Sequence, residues 1–116
     1  MKTLVIIAVC LVACARSHRP CDLLSDSASA RWKADTLGCL KFREEILESL
    51  LTTDSLVGRD FTCILDELGP GIHNRRRGVK VYHDYIITCE PESDATTLMV
   101  VVDESNVVVD AITAVP

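Results

Sequence analysis

Hydrophobic and polar positions along this chain change period twice, and the changes mark its elements. From Asp35, the residues Cys39, Leu40, Ile46, Leu47, Leu50 and Leu51 recur at helical spacing, with Lys41, Glu44, Glu45 and Glu48 mostly on the other side. This pattern predicts an amphipathic helix. Arg43 falls inside its apolar stripe, where it must snorkel or find a partner. After Thr52-Thr53-Asp54-Ser55 a second helix follows, capped by Asp60, with Phe61, Ile64, Leu65 and Leu68 on one face and Gly69-Pro70-Gly71 as its stop.

Beyond Gly78 the period falls to two. Val79, Val81, Tyr85, Ile87 and Cys89 share one parity, opposite Lys80, Asp84, Thr88 and Glu90, as in a half-buried strand. Pro91-Glu92-Ser93-Asp94 reads as a loop. Leu98 to Asp103 and Val107 to Ile112, joined by Glu104-Ser105-Asn106, then form an antiparallel hairpin. The expected fold is α+β in α-α-β-β-β order: two helices packed on one face of a small, three-stranded antiparallel sheet.

The first fifteen residues add a location. A basic start, a brief apolar run and a small-residue exit form an export signal too short to span a bilayer. Leu11-Val12-Ala13-Cys14 resembles the bacterial lipobox, which makes 1–13 the signal peptide and Cys14 the acylated (palmitate-bearing) N-terminus. Ala13-Cys14-Ala15 also reads as an ordinary cleavage site, with 1–15 removed and a free protein secreted. On the lipobox reading, residues 14–30 are a lipid-anchored polar tether and 31–116 one α+β domain.

A mature chain of about a hundred residues supports one domain with one modest core. The full chain's net charge of −5, slightly more acidic once Lys2 is removed with the signal, argues against a nucleic-acid partner, which needs a basic footprint. The basic run Arg75-Arg76-Arg77, between Gly71 and Gly78, reads as a solvated loop, or as a contact for anionic lipid headgroups or an acidic partner. Six cysteines less Cys10 and Cys14 leave Cys21, Cys39, Cys63 and Cys89, an even number in an exported chain, and so two disulfides. Cys39, in the apolar stripe of the first helix, and Cys89, with the inward parity of its strand, should pair. Cys63, opposite the stripe of Phe61, Ile64 and Leu65, is left for Cys21, although four cysteines allow three connectivities.

The element order and wording resemble the SmpA/OmlA-like bacterial lipoproteins, whose best-known member is an accessory subunit of the outer-membrane β-barrel assembly machine. The similarity rests on Gly58-Arg59-Asp60-Phe61-Thr62-Cys63-Ile64-Leu65-Asp66-Glu67-Leu68-Gly69-Pro70 and on the closing segment from Leu98 to Val109 around an acidic turn. Arg31-Trp32-Lys33, followed by Cys39 and Arg43, is similar to small lipoproteins of the same architecture. Two positions depart from the pattern: Gly71 stands where an acidic residue is usual, and Asn106 where the last turn commonly has glycine. The resemblance implies a scaffold role in outer-membrane assembly, facing the periplasm, and Ala15 after the anchor is compatible with outer-membrane sorting.

Catalytic chemistry is not suggested. His18, His73 and His83 have no Cys or Ser nearby in a nucleophile context, the carboxylates Glu44, Glu45 and Glu48 read as a solvated helix face, and no glycine loop, zinc spacing or cofactor fingerprint is present. Trp32 is expected to pack beside the first helix. The informative surface is the hairpin: Leu98, Val100 and Val102 point one way and Met99 and Val101 the other, while two helices can cover one face. Either a partner or the segment around Trp32 covers the second. The expected function is therefore a lipid-anchored, non-catalytic module that binds envelope proteins, without metal or cofactor; the alternative is a freely secreted, disulfide-stabilised effector such as an inhibitor or toxin.

Overall fold

A computed structural model describes residues 21–52, 56–91 and 94–115. The expectations for the leader and Cys14 lie outside these residues. Three helices, α1 (Asp26–Ala34), α2 (Phe42–Thr52) and α3 (Phe61–Leu68), precede four strands, β1 (His73–Arg77), β2 (Lys80–Ile86), β3 (Thr97–Val102) and β4 (Val108–Ala114). The strands form an antiparallel meander in the order β1-β2-β3-β4. The fold is α+β as expected, with one more helix and one more strand.

The added helix is α1, in the segment expected to be a tether. Its apolar signal is weak, because only Ser29 and Trp32 are buried. Trp32 anchors it in the core, and caps and a polar contact add to this: the Ser25 side chain accepts from the Ala28 N–H, and Ser29 Oγ donates to the carbonyl of Glu67 on α3 at 2.6 Å. The added strand is β1, which has no apolar residue to betray it. It forms because Gly78, at φ +63°, and Val79 close a two-residue turn onto β2. Positive φ at the first turn residue and not at Val79 is the type II′ pattern, whose twist matches a hairpin.

Helix α2 begins later than its stripe suggests. Gly38 and Lys41 both take positive φ, so residues 35 to 41 turn instead of spiralling. The buried Asp35 carboxylate accepts from the N–H groups of Leu40 at 2.8 Å and Arg43 at 3.0 Å, closing the turn and capping α2 from outside it. Gly38 is needed sterically, since a Cβ there would collide with the carbonyl of Ile87. Helix α3 keeps its expected limits, with the Asp60 side chain accepting from Thr62 N–H at 2.8 Å and Gly69 closing the C-terminus.

Register assigns the sheet faces. Val81, His83, Tyr85, Leu98, Val100, Val102 and Ala111 share the inner face, while Arg75, Arg77, Tyr82, Asp84, Met99, Val101, Asp110 and Ile112 share the outer one. The helices meet the inner face. Trp32 packs edge-on against Tyr85, Phe61 stacks on His83 at 4.0 Å, and Tyr85 Oη donates to the carbonyl of Gly69 at 2.7 Å. The core joins Trp32, Phe42, Leu50, Leu56, Ile64 and Leu68 to Tyr85, Ile87, Leu98, Val100, Val102 and Val108. The loop before α3 also pairs with the start of β4, through Gly58 N–H to Val108 O and Val108 N–H to Arg59 O, each 2.8 Å.

Candidate functional site: the outer sheet face and its arginine edge

The surface expected at the hairpin is narrower than its five residues. Leu98 and Val100 are 0 % exposed and Val102 is 3 %, all three beneath the helices. They are core, not contact surface. Val101 points outward but is only 3 % exposed, in register between Tyr82 and Asp110. Of the five, Met99 alone keeps part of its side chain accessible.

What remains open on the outer face comes from neighbouring strands. Ile112, in register with Met99, is 41 % exposed. Tyr82 is half-buried, with the Arg75 guanidinium 5.6 Å and that of Arg77 6.0 Å from its ring centre. Arg75 also forms an ion pair with Asp84 at 3.4 Å and donates Nη2 to the Met99 sulfur at 3.3 Å. The basic run is thus an edge strand with all five residues exposed, not a loop. Arg75 and Arg77 stand on the outer face and Arg76 on the inner. An arginine-bearing edge resists pairing with a like-charged copy of itself and favours an acidic partner.

The cysteines pair as expected, Cys21 with Cys63 and Cys39 with Cys89, at Cα separations of 5.3 and 4.4 Å. Their placement differs from the inward facing expected of them: Cys39 lies in the turn before α2, and both Cys39 and Cys89 are exposed. Cys63 is buried, on the side of α3 where residues 21 to 24 dock. Such bonds belong to an oxidising, non-cytoplasmic compartment. Cys21, Cys63 and Glu67 come close enough to suggest metal ligands, but both sulfurs are spent in the disulfide. Glu67 has another task, accepting from the N–H groups of Leu23 at 2.7 Å and Leu24 at 3.3 Å.

His83 is similarly engaged. Its Nδ1 lies 2.9 Å from Asn74 Oδ1, and burial lowers its pKa from the ordinary value, opposed by the Asp84 charge. His73 is exposed on β1, and His18 lies outside the described residues. Arg43 on α2 is the residue whose setting the sequence half-disclosed. It is 4 % exposed and donates Nε to Trp32 O at 2.9 Å and Nη1 to Thr36 O at 3.2 Å and Ile86 O at 3.1 Å. Desolvation lowers its pKa, offset by the Asp35 and Tyr85 fields.

Comparison with known proteins finds no match among protein families, curated proteins or solved structures. Among the described residues, no helix is long and apolar enough to cross a membrane.

Proposed function

We propose that this chain is a lipid-anchored cell-envelope protein that works by binding other proteins, with the outer sheet face and its arginine edge as the contact. The observation that carries the reading is the layout of the sheet. The inner face is filled by the helices, while the outer face presents Tyr82, Met99 and Ile112 beside the cations of Arg75 and Arg77. An apolar patch edged by charge is the usual form of a protein-binding surface.

Attachment is proposed at Cys14 after Leu11-Val12-Ala13. A diacylglyceryl group plus an amide-linked chain supplies the two lipid signals that stable anchoring needs. The two disulfides are consistent with this location, and the resemblance to SmpA/OmlA-like lipoproteins supports a scaffold role in outer-membrane assembly or envelope maintenance. Intact mass and fractionation test the reading. A lipidated mature chain starting at Cys14, released from membranes by Cys14→Ser, supports it; a soluble wild-type chain starting at Arg16 replaces it with the secreted effector.

A further inference from the structure

Arg43 is a buried cation whose hydrogen bonds go to backbone carbonyls. Among the described residues no carboxylate lies within ion-pair distance of its guanidinium, and Asp35 spends its oxygens on the backbone N–H groups of Leu40 and Arg43. The nearby Asp35 charge opposes part of the desolvation of this cation without bonding its guanidinium directly. Nε and Nη1 are occupied, and among the described residues neither N–H group of Nη2 has a partner.

The guanidinium borders a cleft of about 390 Å³ between the end of α1 and the end of α3, lined by Lys33, Thr36, Arg43, Leu65, Leu68, Gly69 and Pro70. The lining holds two cations and no carboxylate. Lys33 packs beside Gly69 at its rim, where a Cβ would lie 3.7 Å from Lys33 Cγ. The opposite wall is apolar, from Leu65, Leu68 and Pro70.

We infer that this cleft binds a small carboxylate carrying a short apolar group, its oxygens taken by Arg43 Nη2 and Lys33 and its apolar part laid on Leu65 and Pro70. A guanidinium edge offers the planar donors a carboxylate fits, and a second cation beside it strengthens the preference for an anion. Apolar walls select against a fully hydrated ion. Two sources share this chemistry: a free short-chain acid, and the C-terminal residue of a polypeptide. The site is on the helical side of the domain and does not depend on the outer-face reading.

Amide NMR titration of the disulfide-bonded domain with butyrate, N-acetylvaline, butyramide and inorganic phosphate tests this. Saturable shifts at Lys33, Thr36, Leu68 and Gly69 are expected with both carboxylates and not with butyramide. Tighter binding of N-acetylvaline assigns the site to a chain terminus, and tighter binding of butyrate to a free acid. Lys33 is exposed and tolerates change, so Lys33→Glu should weaken carboxylate binding at least tenfold while the spectrum stays folded. The inference is overturned if neither carboxylate saturates, if butyramide binds as well as butyrate, if Lys33→Glu leaves binding unchanged, or if phosphate alone binds.

Discussion

Arg43 holds Trp32 twice: its Nε donates to the Trp32 carbonyl at 2.9 Å, and its guanidinium carbon lies 4.9 Å from the centre of the indole ring. The same side chain reaches Thr36 and Ile86, so one residue of α2 fastens α1, the following turn and the end of β2. Arg43→Leu would take a donor from three carbonyls, of which that of Trp32 keeps the Asp35 N–H. The expected loss is about 3 kcal/mol in urea unfolding. Arg43→Lys should recover less than half, because an ammonium cannot span the same acceptors. Equal stability of the Arg43→Leu variant and wild type would show that the clamp contributes nothing.

Glu67 ties the N-terminal segment to α3 through Leu23 and Leu24. Glu67→Ala should free that segment locally without melting the sheet. Hydrogen exchange at the Leu23 and Leu24 amides should quicken roughly tenfold, equivalent to about 1.4 kcal/mol. Unchanged exchange there would mean the carboxylate is not what holds the segment.

These two residues also show where the sequence was legible. The α3 limits followed from Asp60 and Gly69-Pro70, and the β3–β4 hairpin from its valine runs, because capping chemistry and apolar period act locally. Asn106, at φ +64°, turns the hairpin in a conformation that asparagine tolerates better than most residues. Helix α1 and strand β1 were hidden for different reasons. Ser29 and Glu67 are placed by contacts 38 and 44 residues apart, which leave no period, while β1 pairs across a two-residue turn but carries no apolar residue to show one. Arg43 could be flagged as misplaced in an apolar stripe, yet its acceptors lie on α1, the turn and β2. The hairpin face was misjudged because alternation separates two faces without saying how far neighbouring strands bury the second, as they do around Val101.

Tyr85 supplies a pH test. Burial raises the pKa of its phenol well above the ordinary value, opposed by the Arg43 charge. The folded state therefore resists losing this proton, and the unfolded chain loses it near pH 10. Stability from this group is fully present below about pH 10 and declines as pH rises above it. Tyr85→Phe should lose about 1 kcal/mol at neutral pH, through the bond to Gly69, and flatten the alkaline decline. A decline as steep in the variant as in wild type would assign the effect to another group.

The disulfides join residues 42 and 50 positions apart. On the chain-entropy account, each loop of this length stabilises by about 4 kcal/mol. Replacing Cys39 and Cys89 together by serine should lower the urea midpoint substantially and loosen the turn at 35 to 41. Replacing Cys21 and Cys63 should act at the docked N-terminal segment instead. A chain that unfolds identically when reduced and when oxidised would contradict both expectations.

The most direct measurement of the central claim is site-specific photocrosslinking in the bacterial envelope, with a benzophenone amino acid at Ile112 or Arg77 on the outer face and at Lys41 or Glu48 on the helical side. The account predicts discrete protein adducts from Ile112 and Arg77 in the membrane fraction and none from Lys41 or Glu48. It also predicts that Arg75→Glu combined with Ile112→Asp abolishes the Arg77 adducts while the thermal midpoint stays within a few degrees of wild type. Adducts only from the helical side, or adducts from Arg77 that survive the double substitution, would contradict the assignment of the outer face as the working surface.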